Sequence, residues 1–288
     1  MRFAIGVFLF AALAGAQGDM SKVEIKVQKV SGSVYMLIGQ GGNIGVSVGD
    51  DGVLIVDDQF APLAAKIQAA IKGITDKPIK YVLNTHFHGD HTGGNPEFGK
   101  NSTIVAHENV RRRLLIPPTN PAQPTMTKAG LPVITFNDRV SVHFNGEDIR
   151  AIHAPQGHTD GDSIIYFTQS NVVHMGDDFF NGMFPFIDLS SGGSVRGYVA
   201  AVEKAVSQFP ADAKVIPGHG PLSGIEDLKK FAGVMRDCIS IVESNLRSGK
   251  TAVEMKTAKV LDKYASWGTG FISSDRFIDT LVQDLGKK

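Results

Sequence analysis

The chain has 288 residues, 42% of them hydrophobic and 20% charged, which is ample apolar material for a buried core. Lysine plus arginine and aspartate plus glutamate balance at 29 each, so no basic field attracts a phosphate backbone and nucleic acid is excluded as an expected partner. The single cysteine, Cys238, allows no disulfide within the chain, and its apolar-periodic surroundings VMRDCISIV mark it as a core helix thiol.

The first residues, MRFAIGVFLFAALAGAQGDM, place one positive charge at Arg2, an apolar run from Phe3 to Leu13 and the small-x-small pattern Ala14-Gly15-Ala16. This is the pattern of a signal peptide over residues 1–16, cleaved after Ala16, and it predicts export to a bacterial periplasm or outside the cell. The apolar run is shorter than the about 20 residues that span a bilayer, so no stable membrane span is expected; a retained N-terminal anchor is the competing reading. Residues 17–288 then form one domain, with a core over about 34–224 and C-terminal helices over 225–288.

Residues 33–57, SVYMLIGQGGNIGVSVGDDGVLIVD, alternate and then run apolar, broken at Gly41-Gly42 and Asp50-Asp51-Gly52, which predicts a strand meander. A helix follows from Pro62 to Ile71 and stops at Gly73. A short apolar strand over 79–84 delivers the chain into THFHGDHTGG, where His86, His88, Asp90 and His91 fall within six positions. Residues 116–132 are a proline-rich connection, read as either a substrate flap or a spacer. A second round begins near Val133, with strands around VSVHF, IRAIHA, SIIYF and NVVHM, a helix over 195–208, a strand at AKVIP and a long helix through Cys238. Two such rounds predict two sheets face to face with helices outside, and two short amphipathic helices after Thr251 pack on the exterior.

Clustered imidazoles and carboxylates are what a borderline-soft divalent ion such as zinc prefers. Side chains two apart on an extended segment point the same way, so His86 and His88 converge while Phe87 turns into the core, and Gly89 permits a tight bend before Asp90 and His91. Each zinc needs about three protein groups and an open position. Three glycine-set sites at strand ends supply the rest: His158 in QGHTDGD, Asp177 in HMGDDFF and His219 in IPGHGP. The seven residues divide into His86, His88 and His158 on one ion, Asp90, His91 and His219 on the other, and Asp177 bridging. His153 competes with His158, which is preferred because Gly157 precedes it. His107, His143 and His174 read as structural, and the run Arg111-Arg112-Arg113 reads as a solvated helix face. Asp57 is either a partner for a ligand histidine or a turn residue, and Asp178 a solvent-facing or supporting residue.

With H-x-H-x-D-H at His86 to His91, a glycine-flanked His158, G-D-x-x-F at Gly176 to Phe180 and P-G-H-G around His219, the chain resembles the metallo-β-lactamase superfamily over residues 34–224. The resemblance implies an α+β fold, an αββα sandwich of two packed mixed sheets. Asp177, where familiar zinc β-lactamases lack a bridging aspartate, places the chain nearer the glyoxalase II and persulfide dioxygenase branches. Asp160 stands where the glyoxalase pattern GHTPG carries proline. The expected activity is hydrolysis of a small-molecule ester, thioester, lactone or β-lactam by a hydroxide shared between two Zn2+, formed because metals lower the pKa of water from about 16 to about 7, with Asp90 orienting it. The alternatives are a persulfide dioxygenase-like enzyme with one Fe2+ on His86, His158 and Asp177, and a non-catalytic metal-binding protein.

Overall fold

A computed structural model describes residues 19–117 and 126–286; the leader over 1–16 and the middle of the 116–132 connection lie outside the described residues. Among the described residues, thirteen strands form two sheets. The first runs in order β1 (Lys26–Ser31), β2 (Val34–Ile38), β3 (Ile44–Gly49), β4 (Gly52–Val56), β5 (Ile79–Leu83), β6 (Thr103–His107) and β7 (Ile134–Phe136). Its first four strands pair antiparallel and its last four parallel. The second sheet contains β8 (Arg139–Phe144), β9 (Glu147–His153), β10 (Ser163–Phe167), β11 (Val172–His174), β12 (Lys214–Ile216) and β13 (Ser223–Gly224), in spatial order β13-β12-β11-β10-β9-β8. Only β11 and β12 are parallel there, so both sheets are mixed.

Strand β4 explains the layering. A strand turns successive side chains to opposite faces. Leu54 and Val56 therefore meet Met36, Leu83, Ile149, Ile165 and Ile216 between the sheets, while Val53 and Ile55 meet Leu63, Ile67 and Ile71 on the outside. A strand buried on both faces reads as a continuous apolar run, as GVLIV does. The outer helix is α1 (Ala64–Lys72), capped at Gly73 as its sequence predicts. On the far side, α5 (Val195–Gln208) and α6 (Ile225–Arg247) pack Tyr198, Val202, Leu228, Phe231 and Cys238 over Ile164, Val173 and Val215. Short α7 (Ala252–Thr257) and α8 (Ser274–Leu285) lie against the same cluster, joined by a 3-10 segment, Asp262–Thr269. The order helix, sheet, sheet, helix is the expected αββα sandwich. No described helix is long and apolar enough to cross a membrane.

The sheet begins at Lys26, ahead of the expected start at residue 34, and the second round begins at β8 rather than near Val133, because β7 pairs parallel with β6 in the first sheet. The tight stretches Gly89–Thr92 (α2) and Asn95–Phe98 (α3) are single helical turns, and Glu108–Leu114 is α4.

Candidate metal centre

Four loops, following β5, β9, β11 and β12, bring all seven expected ligands together. His86, His88, His158 and Asp177 form one group and Asp90, His91 and His219 another, with ligand atoms within 4.8 Å of one another in each. Thr85 and His86 lie in a bend after β5, not in the extended segment expected, and His88 alone is extended, as the N-cap of the single turn α2 that carries Asp90 and His91. The change from extended to helical backbone turns adjacent residues toward different groups. Gly89 is not the reason: it begins α2, has no positive φ, and a Cβ there would meet nothing within 4 Å. Phe87 turns aside as expected and packs against Ala106, Val110, Leu114 and Leu131.

Asp177 stands in a 3-10 turn, Gly176–Asp178, entered through Gly176 at φ 52°. Its Oδ2 lies 3.7 Å from His86 Nε2 and 3.5 Å from His158 Nε2, and its Oδ1 lies 3.0 Å from His91 Nε2 and 3.3 Å from His219 Nε2. One carboxylate oxygen thus faces each group. Close packing makes this possible at Gly218, where a Cβ would fall 2.1 Å from Asp177 Oδ1, and at Gly42, where it would fall 2.1 Å from the His91 ring. Buried Asn43 fixes the His219 loop by donating its side-chain amide to Pro217 O at 3.0 Å and Gly220 O at 2.9 Å.

The partners on the far side of each ring decide where its lone pair points. Thr85 Oγ1 donates its hydrogen to Asp57 Oδ2 at 2.7 Å, so at 3.0 Å it accepts from His86 Nδ1–H. His86 Nε2 is then a bare acceptor, buried without a hydrogen-bond partner, as is Asp177 Oδ1. His158 Nδ1 donates to Phe186 O at 2.7 Å, His91 Nδ1 to Asp57 Oδ2 at 2.7 Å, and His88 Nε2 to Asp188 Oδ2 at 3.1 Å. Four imidazoles are therefore oriented with the remaining nitrogen toward the centre, the arrangement that metal-ligating histidines adopt. Imidazole nitrogens and carboxylate oxygens that converge, with His86 Nε2 and Asp177 Oδ1 buried and unpartnered among them, fit a divalent cation.

Charge follows the same geometry. Burial pushes His86 well below the usual imidazole range and His158 down to about 4. Against the effect of burial, Asp177 and Asp90 hold His91 well above that range and raise His219 to about 9. Burial opposes ionisation of Asp177 too, yet His91, His219, His86 and His158 together hold its carboxyl well below the ordinary value.

Several surrounding residues depart from expectation. Asp178 is fully buried, not solvent-facing: its Oδ1 accepts the His158 amide at 3.1 Å. Burial and then the charge of Asp162 hold its carboxyl well above the usual range. A Cβ at residue 157 would fall 2.2 Å from Asp178 Oδ1, so Gly157 makes room for this carboxyl rather than for an ion. Of its two expected roles, Asp57 fills that of a histidine partner, and it does so from a backbone φ of 63°. His153 lies outside both groups; it stacks on His107 at 3.8 Å, and His107 caps α4. His174 is buried beneath the site against Asn43 O at 3.0 Å, and His143 is exposed. Of the arginine run only Arg112 is a solvated side chain. Arg111 donates to Pro132 O at 2.6 Å, and Arg113 forms a two-pronged pair with Asp160, both bonds 2.7 Å. Asp160 N–H also donates to Ser191 O at 2.9 Å, a bond that proline could not make. Asp188, Thr85 and Asn43 were not singled out from sequence. Asp188, 30 residues beyond His158, carries no pattern that ties it to His88.

The family described as the Metallo-beta-lactamase superfamily matches residues 37–221, more than half of the chain. The chain belongs to the metallo-beta-lactamase superfamily. Within this superfamily it is similar to a hydroxyacylglutathione hydrolase of Pelagibacter ubique, 30% identical over 162 residues, which cover 54% of this chain and 58% of that one. It is also similar to a linear primary-alkylsulfatase of a Pseudomonas species, 24% identical over 235 residues, covering 67% of this chain and 44% of that one. The chain spans about half the length of these curated relatives. Among solved structures, a metallo-beta-lactamase from Pontibacter korlensis shares the fold with a TM-score of 0.62 and 17% identity, covering 74% of this chain and 99% of that one.

Proposed function

We propose that this superfamily member is an exported hydrolase that holds two zinc ions and cleaves an ester, thioester, lactone or β-lactam. The observation that carries the reading is Asp177, whose two oxygens face the two ligand groups separately. His86, His88 and His158 would hold one ion, Asp90, His91 and His219 the other, and Asp177 both. When bound, such ions supply Lewis acidity and lower the pKa of coordinated water from about 16 to about 7. The chain supplies orientation. Asp57, Asp188, Thr85 and the Phe186 carbonyl fix four rings, and Asp90, with a side chain 30% exposed at the opening, would orient the attacking water by accepting its hydrogen bond.

The one-iron dioxygenase reading uses only His86, His158 and Asp177 and gives the complete second group no task. A purely storage role leaves Asp90 and His219 needlessly open to solvent. The test is metal quantification on purified protein beside a panel of lactam, lactone, thioester, carboxylic ester and sulfate ester substrates, the last included because an alkylsulfatase stands among its relatives. About two zinc ions and turnover of a lactam, lactone, thioester or carboxylic ester support the proposal; turnover of sulfate esters alone, one iron with oxygen consumption, or metal without any turnover, would overturn it. Export rests on residues 1–16 alone; protein confined to the cytoplasm would refute it, and a mature terminus away from Gln17 on exported protein would refute cleavage after Ala16.

A further inference from the structure

His88 and His219, with side chains 20% and 24% exposed, are the rings of the two groups that reach solvent and so mark where the site opens. Phe186 borders this opening. Its ring centroid lies 5.8 Å from that of His88 and 5.7 Å from that of His158, and its own carbonyl holds His158. Phe271 meets Phe186 edge to face at 6.4 Å and is 53% exposed. The chain leading to it is held in place. Phe184 N–H donates to Trp267 O at 2.9 Å, Trp267 packs on Phe231, and a Cβ on Gly270 would press to 3.2 Å on Met183.

The polar groups beside His88 are already committed. Asp188 accepts from His88, Ser190 and Ser191, and Arg113 is bound by Asp160. Phe186 and Phe271 give this part of the rim an apolar face, and an aromatic ring held half in water gains free energy when apolar surface covers it. We infer that Phe186 and Phe271 form an apolar subsite for a hydrocarbon acyl or alkyl group attached directly to the centre that is cleaved. Substrates of this enzyme are then apolar esters or thioesters in preference to small polar ones. The inference rests on the hydrolase reading above and names its substrate class.

The test is calorimetric titration of zinc-loaded protein with straight-chain alkyl hydroxamic acids from acetohydroxamate to octanohydroxamate. Affinity in the natural protein should rise about two- to fourfold per added methylene, the range for a chain that is partly to fully covered. Phe271→Ala should flatten this rise for the longer chains, and Phe271→Leu should restore part of it; the exposure of Phe271 lets both variants fold, which thermal melting verifies. Equal affinity along the series, or a slope that Phe271→Ala leaves unchanged, would overturn the subsite and leave the metal reading standing. Failure of acetohydroxamate itself to bind protein shown to carry zinc would overturn both.

Discussion

Asp57 Oδ2 lies 2.7 Å from His91 Nδ1, with both side chains fully buried. The same carboxylate accepts from Thr85 N and Thr85 Oγ1, each at 2.7 Å, and the hydroxyl in turn receives His86 Nδ1–H. One carboxylate therefore orients a histidine from each ligand group, directly for His91 and through a hydroxyl for His86. Asp57→Asn keeps the shape and tolerates the positive φ, but loses the charge. It should weaken metal binding at both groups by about 10- to 100-fold, whereas Thr85→Val should affect the His86 group first. Competition against a chromogenic chelator measures this, and a loss confined to one ion in Asp57→Asn would sink the shared role.

Asp177 and Asp178 are neighbours with opposite requirements. Four histidines hold the Asp177 carboxyl well below the usual range, whereas burial and the charge of Asp162 hold that of Asp178 well above it. Asp177→Asn should lose the second metal and nearly all turnover, because an amide offers one weak oxygen in place of two charged ones. Asp178→Asn should retain metal and most activity, since an amide resembles a neutral carboxylic acid and still accepts the His158 amide. Asp178→Ala leaves that amide unpartnered and should cost about 1–3 kcal/mol of stability. The ranking is read by metal content and thermal melting; equal metal loss in the two asparagine variants would refute it.

The seven candidate ligands were legible because two pieces of information coincide in the sequence: residue type, and position at the exit of an apolar strand. Strand β4 was legible for a related reason, since its doubly buried run contrasts with the turn before it. What supports the ligands was not. Asp188 reaches His88 across 100 positions, and Asn43 reaches Pro217 across 174, contacts that no local pattern encodes. Short β6 and β7 escaped because brief apolar runs do not declare a period. The arginine run misled through composition: three cations look like a wet face until a partner such as Asp160 is known.

Glycines near the motif separate by what a side chain would meet. Gly89 lies inside H-x-H-x-D-H yet has open space around it, while Gly42 and Gly218 lie outside it against His91 and Asp177. Gly89→Ala should preserve metal content and melt within about 1 kcal/mol of the natural protein, since alanine suits a helical turn. Gly42→Ala and Gly218→Ala should each cost about 1–3 kcal/mol and lower metal affinity, because overpacking must displace a ligand. Normal metal binding in Gly218→Ala would show that Asp177 does not sit where the structure places it.

Metal uptake should be ordered by protons. In metal-free protein His219 stays protonated up to about 9 and His91 is likewise held above the usual range, because burial is outweighed by Asp177 and Asp90. His86 and His158 are already neutral at pH 7, since burial dominates there. An ion entering the Asp90–His91–His219 group must therefore displace protons, and its affinity should climb from pH 6.5 until the pH passes about 9. The His86–His158 side should fill first at pH 6.5 with little proton release. The sign for stability follows from the same shift: a raised folded-state pKa stabilises fully below the unfolded value of about 6.5 and is lost as pH rises through about 9. Chelated protein should consequently melt at a lower temperature at pH 9 than at pH 6.5, and metal-loaded protein, with those protons already gone, should not show that fall. Calorimetry in buffers of different ionisation enthalpy counts the protons per ion. Equal release for the first and second ions would refute the ordering, and a chelated protein that gains stability between these pH values would refute the charge assignment of His219.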